Sequence, residues 1–279
     1  MQTACKAHLL KGRNWEVYKP NKTKVSLMHY IRKALKESDK NLLGNELSSG
    51  REGHSLKVIT YNNQKFFLKI FDLSSKLAWN RRIEFSVKEL LQSRAKKSFY
   101  GALKLEKAGI PTAEPVGYCT FGIWPWKKKG IAICEYLAND GNVQDYLKVC
   151  KTNQPVLLSK MAHLAKKLHD HGLRHTDIVE HNFLVKRNCH EMLEIFLVDT
   201  DKVHCARVSK FVPFIKQYLD LRCLMRLKYT KPETEWFLRE YFGSDYRTIW
   251  LHLLFFLRNG GFCIKRRLKI KKTSKLKLG

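Results

Sequence analysis

His175-Thr176-Asp177-Ile178-Val179-Glu180-His181-Asn182, and a little later Leu197-Val198-Asp199-Thr200-Asp201, are the two stretches that decide how this chain folds. The first sets a carboxylate five residues before an amide and reads as a compact loop. The second closes an apolar run, Glu194-Ile195-Phe196-Leu197-Val198-Asp199, that reads as a strand. Phe183-Leu184-Val185-Lys186 reads as an earlier strand, joined to it by a polar turn. A hairpin returns the chain on itself, so Asn182 and Asp199 are expected to meet at one end, close to Asp177.

Those groups match what phosphoryl transfer requires. One carboxylate orients the attacking hydroxyl and takes its proton, while a second carboxylate and an amide oxygen hold a divalent cation against the phosphates. Magnesium prefers oxygen ligands and takes few of them from protein. Asp177 is therefore the candidate catalytic base, and Asn182 and Asp199 are the candidate Mg²⁺ ligands. His175 reads as a hydrogen-bonding residue of the loop rather than an acid or base. Glu180 and His181 read as pocket-rim residues, and Asp201 equally as a second metal contact or a solvated charge.

The surrounding charge sharpens this. The chain of 279 residues carries a formal net charge of +28, which points to an anionic partner. Residues 170–201 run against that balance, with seven acids and three bases, a local net of −4. The last fifteen residues, 265–279, hold eight Lys or Arg and no acid, and are expected to be disordered. With 44% hydrophobic residues the rest has ample material for a core. The most apolar run, Trp250–Leu257, is far short of the ~20 residues a spanning helix needs. No secretory signal is legible at the start, so a cytoplasmic chain is expected. Its 8 cysteines form no CxxC pair and read as reduced thiols. Cys189-His190 and His204-Cys205 mimic a zinc site, but a strand of about 17 Å would separate them.

Moving toward the amino terminus, residues 130–137 and Val116–Cys119 read as strands, with Trp124–Lys129 as a loop between them. Ser93–Ala108 reads as a helix stopped by Gly109 and Pro111, after an earlier helical piece from residue 77. Leu56–Tyr61 and Lys65–Phe71 flank Asn62-Asn63 and read as a hairpin. Lys69 lies in its second strand among apolar neighbours, where a phosphate-binding lysine of a kinase-like small lobe would sit. Residues 25–37 form a basic amphipathic helix with Val25, Met28, Ile31 and Leu35 on its apolar face. Residues 38–55 read as loop or a short strand with turns. Toward the carboxyl terminus, Asn139–Asn142 reads as a flexible joint, 155–172 as a helix, and 211–258 as mostly helical.

Five segments in this order resemble the lipopolysaccharide core kinase family, the 3-deoxy-D-manno-octulosonic acid (Kdo) and heptose kinases with a protein-kinase-like fold. They are Phe67-Leu68-Lys69, Ser93–Lys97, Ala108–Thr112 with Glu114-Pro115, His175–Asn182, and Leu197–Asp201. The resemblance covers about residues 55–240. It implies Asp177 as base, Asn182 and Asp199 on Mg²⁺, and Lys69 on the phosphates of ATP. Glu135-Tyr136-Leu137 resembles the hinge, so Glu135 and Leu137 would bind adenine through their backbone. The chain departs from the family pattern at Ser98, where many relatives carry the glutamate that pairs with the lysine. Glu84, Glu89 and Glu106 are conceivable substitutes. No GxGxxG is present, and Thr176 stands where protein kinases usually have Arg.

The expected fold is α+β and bilobal, protein-kinase-like, with a small β-rich N-lobe (1–137), a mostly helical C-lobe (138–264) and a basic tail. The resemblance implies phosphoryl transfer from ATP to a heptose or Kdo hydroxyl of the lipopolysaccharide inner core. The partners would be ATP and an anionic glycolipid, with peripheral contact on the inner face of the inner membrane. Nucleic acid is not expected, because the acidic island would repel a backbone. A kinase acting on protein or a small molecule, or an inactive module binding anionic lipid or RNA, is the alternative.

Overall fold

The computed structural model describes residues 9–12, 14–36, 45–47, 54–72, 93–121, 129–205, 217, 220–221 and 231–243. The helical piece expected from residue 77, the loop 124–128, most of 211–258 and the tail 265–279 lie outside them. Strands β1 (Leu9–Gly12) and β2 (Trp15–Tyr18) pair antiparallel and lead into helix α1 (Lys22–Lys36). Asn21 starts that helix by accepting the Lys24 backbone N–H on its side-chain oxygen at 2.8 Å. Strands β3 (Asn45–Leu47), β4 (His54–Tyr61) and β5 (Gln64–Asp72) follow. The β4–β5 turn uses Asn62 and Asn63 at φ of 48° and 59°, which short amide side chains tolerate best. Helix α2 (Arg94–Lys107) is capped by Ser93 and followed by β6 (Pro115–Phe121) and β7 (Lys129–Glu135).

Among the described residues these strands form one antiparallel sheet of order β1-β2-β6-β7-β5-β4-β3. The alternation of β5 decides what each face carries. Phe66, Leu68 and Ile70 point to one face, where Leu27, Met28, Ile31 and Ala34 of α1 cover them. Lys69 and Phe71 point to the other, where Ala95, Phe99 and Leu103 of α2 pack. The sheet is thus held between two helices, and the lysine lies on the α2 side. The apolar face of α1 is rotated from the expected one: Val25 is half-buried, while Lys24 is buried at 6% exposure. Its ammonium reaches Glu114 at 2.9 Å and Glu135 at 3.1 Å, and its methylene stem lies among apolar neighbours.

Residues 136–142 lead from the sheet to α3 (Val143–Val149) and α4 (Gln154–Asp170). This stretch is stitched in place rather than forming a loose joint. The Asp140 N–H donates to Val185 O, and the Val185 N–H to Gly141 O, each at 2.8 Å. The chain then forms β8 (Leu173–His175), the hairpin β9 (Phe183–Arg187) and β10 (Leu193–Leu197), β11 (Val203–Cys205) and helix α5 (Lys231–Phe242). β11 pairs back on β8, so the two ends of the segment holding the β9–β10 hairpin are tied together. Leu157, Met161, Ala165 and Leu168 of α4 pack with Phe183, Val185, Leu197, Phe237 and Leu238 in a second core. Each fully buried Leu, Met or Phe there stabilises the fold by ~1.5–3 kcal/mol. The outcome is an α+β, bilobal, kinase-like architecture.

Candidate active site

The β9–β10 hairpin brings the expected metal ligands together. Phe183 pairs with Leu197 at its open end, and just beyond them the Val198 N–H donates to Asn182 O at 2.9 Å. Asn182 is buried at 5% exposure. Its side-chain NH₂ donates to the Asp177 backbone carbonyl at 2.8 Å and to Asp177 Oδ2 at 3.4 Å. The amide group therefore fixes the loop and orients the half-buried Asp177 carboxylate.

Asp199 stands in the left-handed region, at φ 60° and ψ 46°, an uncommon conformation for a non-glycine residue. Its surroundings hold it there. His175, fully buried, donates Nε2–H to the carbonyl oxygens of Val198 at 3.1 Å and Asp199 at 3.2 Å. The acceptors are carbonyls, so the proton sits on Nε2. His175 Nδ1 has no hydrogen-bond partner among the described residues. Burial pushes the imidazole below its ordinary range and keeps it neutral. The histidine thus serves as the loop-bonding residue expected from the sequence.

Lys69 comes to this cluster from the sheet. Its ammonium bonds Asp199 Oδ1 directly and Asp201 Oδ1 at 2.5 Å. Burial works against the ammonium, but the carboxylates of Asp201 and Asp199 outweigh it and hold its pKa above the ordinary value. For Asp199, burial alone would favour the neutral acid, and the Lys69 ammonium reverses this and keeps it ionised. Asp201 is buried at 8% exposure, so it is not a solvated charge. Glu106 is no partner of Lys69: it is taken by Lys19 at 2.7 Å and Tyr18 at 3.4 Å. Glu84 and Glu89 lie outside the described residues.

Glu135 and Leu137 sit where the sheet hands over to the helical half. The Glu135 N–H is used by Glu114 O at 2.9 Å, and the Tyr136 N–H by Lys65 O at 3.0 Å. The Leu137 carbonyl accepts from the Asn139 side chain at 2.8 Å. The Glu135 carboxylate turns to Lys24 of α1. Lys69, Asp177, Asn182 and Asp199 are thus gathered within one chain of contacts, with Glu135 and Leu137 on the connecting strand end.

Sequence reading missed three supports of this site. Pro111 and Thr112 back onto the end of β10: the Leu197 N–H donates to Pro111 O at 2.9 Å, and Thr112 Oγ1 donates to Leu197 O at 2.8 Å. The Ala108–Thr112 segment thereby fixes the strand that delivers Asp199. Glu16 of β2, 6% exposed, accepts from Tyr100 of α2 at 2.5 Å and Tyr118 of β6 at 3.2 Å. Arg174 grips Asp220 with two bonds, of 2.8 and 2.6 Å. No local pattern marks these pairs, whose members lie 46 to 102 positions apart. A charged or amide residue inside an apolar run, as at Glu16, is the one signal available.

Comparison with known proteins agrees with this geometry. A family model described as the lipopolysaccharide kinase (Kdo/WaaP) family matches residues 76–241, more than half of the chain. The chain is 25% identical over 202 residues to the lipopolysaccharide core heptose(I) kinase WaaP of Escherichia coli (strain K12), covering 64% of this chain and 75% of that protein. Its fold is similar to a solved structure of WaaP in complex with acyl carrier protein, with a TM-score of 0.57 and 18% identity, over 80% of this chain and 90% of that one.

Proposed function

Because the chain belongs to the lipopolysaccharide kinase (Kdo/WaaP) family, we propose that it transfers the γ-phosphoryl group of ATP to a sugar hydroxyl, heptose or Kdo, of the lipopolysaccharide inner core. The observation that carries this reading is the convergence of Lys69, Asp177, Asn182 and Asp199 at one end of the β9–β10 hairpin. In this reading Asp177 accepts the proton of the acceptor hydroxyl as its oxygen bonds the γ-phosphorus and the bond to ADP breaks. Lys69 sets a positive charge against the phosphates, and the backbone of Glu135 and Leu137 receives adenine.

The donor set fits magnesium. Asn182 offers an amide oxygen and Asp199 an ionised carboxylate, the hard oxygen ligands that Mg²⁺ takes. A Mg²⁺ ion held there would neutralise charge on the β- and γ-phosphates. His175 and the left-handed Asp199 backbone fix the strand end from which that carboxylate faces Lys69.

The charge distribution supports the choice of acceptor. A net charge of +28 suits an enzyme that works on an anionic glycolipid, docked peripherally on the inner face of the inner membrane. Among the described residues, no helix is long and apolar enough to cross a membrane. Acyl carrier protein, with which WaaP is complexed in the similar solved structure, extends the proposed set of partners, and co-purification with the recombinant chain tests it. The test of the main reading is the mass of lipopolysaccharide core from a strain lacking this gene. A deficit of ~80 Da per missing phosphoryl group is expected. An unchanged mass overturns the acceptor.

A further inference from the structure

Ser98 occupies the helix position that would supply a glutamate to Lys69, yet Lys69 is not short of carboxylates. Resting on the kinase reading above, we infer that Asp201 is the positioning residue for Lys69 and takes over the task of the absent helix glutamate.

Three observations carry this. First, the two oxygens of Asp201 face two different cations. Oδ1 accepts from Lys69 at 2.5 Å, and Oδ2 lies 3.9 Å from the Arg94 guanidinium at the start of α2. One carboxylate therefore joins the lysine of the sheet to the helix that covers it. In a helix-glutamate arrangement the acid sits on the helix. Here the polarity is reversed: the helix gives the cation, and the loop gives the acid. Second, Ser98 is committed to that same loop. Thr200 Oγ1 donates to Ser98 O at 2.8 Å, and the two hydroxyl oxygens are 3.0 Å apart. Third, the cationic groups of Arg94 and Lys69 lie 4.7 and 5.4 Å from the centroid of the same Phe71 ring, so strand residue, helix residue and acid share one surrounding.

The consequence for mechanism is a division of labour between two neighbouring acids. Asp199 is the metal-side carboxylate. Asp201 would keep Lys69 in place when Asp199 is shared with Mg²⁺, through its contacts with Lys69 and Arg94. Among the described residues, Asp201 is the acid that bonds the strand lysine and also lies within ion-pair distance of the α2 arginine.

Binding of a fluorescent ADP analogue to the full chain tests the inference, measured with Mg²⁺ and again in EDTA. Asp201→Asn should weaken affinity about tenfold in both conditions, the scale of one charge-assisted hydrogen bond. Lys69→Met should weaken it similarly, and the double variant no further, because the two residues act as one unit. Asp201→Glu keeps the charge and should restore most of the affinity, which provides a readout if Asp201→Asn does not fold. Loss confined to the Mg²⁺ condition would make Asp201 a metal ligand and overturn the inference. Losses that multiply in the double variant overturn it too. If the wild-type chain binds no nucleotide in either condition, the kinase reading falls first and the inference falls with it.

Discussion

Gly101 of α2 and Thr200 of the loop after β10 meet backbone to backbone: a Cβ on Gly101 would overlap the Thr200 carbonyl oxygen. The helix can approach the loop after β10 this closely only because residue 101 has no side chain. Gly101→Ala must therefore push α2 away from Asp199-Thr200-Asp201. The expected loss is ~1–3 kcal/mol, as for other overpacked sites. A drop of several degrees in melting temperature, with weaker nucleotide binding, checks it. An unchanged melting temperature would show that the loop yields freely.

Asp177→Asn should leave nucleotide binding near the wild-type level, since in the proposed reading its carboxylate serves the acceptor hydroxyl and not the nucleotide. Turnover should fall by about 10²–10⁴-fold, the range for removal of a general base. Measured kcat and KM for ATP separate the two effects. Retention of full turnover would remove Asp177 from the chemistry.

Half-buried Arg174 holds buried Asp220 in a bidentate pair, and His169 Nε2 stands 3.4 Å from the same carboxylate. Removing one partner strands the other's charge. Asp220→Ala should cost about 3 kcal/mol or more, read as a lowered urea midpoint. A midpoint within experimental error of wild type would make the pair energetically neutral.

His175 gives stability a defined pH dependence. Burial holds its pKa in the fold below the ordinary 6.5 of the unfolded chain. As pH falls below that value the unfolded state takes up a proton that the folded state refuses. The contribution is therefore complete above the unfolded pKa and is lost on acidification toward the folded pKa. The melting temperature of the wild type should fall more than that of His175→Gln between about pH 7.5 and about pH 5.5. Equal falls would assign the acid sensitivity to other groups.

Removal of residues 265–279 takes away eight Lys or Arg and no acid. Binding to vesicles containing anionic lipid should weaken, by up to ~1 kcal/mol for each basic residue that reaches the surface. The difference should shrink as salt is raised, because screening shortens the reach of these charges. Identical vesicle binding at low salt would exclude the tail from docking.

The parts of the fold that were legible in the sequence are those governed by short-range rules. The β9–β10 hairpin, the Asn62-Asn63 turn and the stop of α2 at Gly109 each follow from residues within a few positions of one another. The same holds for the meeting of Asn182 and Asp199, because a hairpin must return its two ends together. Strands β1 and β2 were not legible. They are four residues each; β1 pairs with β2, and the pairing of β2 with β6 depends on residues about a hundred positions away. The face of α1 was misjudged for a related reason. Periodicity put Val25 on the apolar face and left Lys24 off it, whereas Glu114 and Glu135 give its ammonium a partner and let its stem be buried.

What the sequence determined by itself is the chemistry: an acid, an amide and a second acid at spacings that force them together, a lysine on an apolar strand, and a strongly basic chain around an acidic island. What only the tertiary structure shows is which cations face each acid. Asp201 read equally as a metal contact or a solvated charge, and its burial where β5, α2 and the loop converge rules out the solvated charge. A carboxylate's role is set by the cations that face it, and the cations facing Asp201 come from residues 69 and 94, more than a hundred positions away in the chain. Spacing along the chain carries no information about such a contact. It arises when two elements pack, and here they pack because Gly101 leaves room for Thr200.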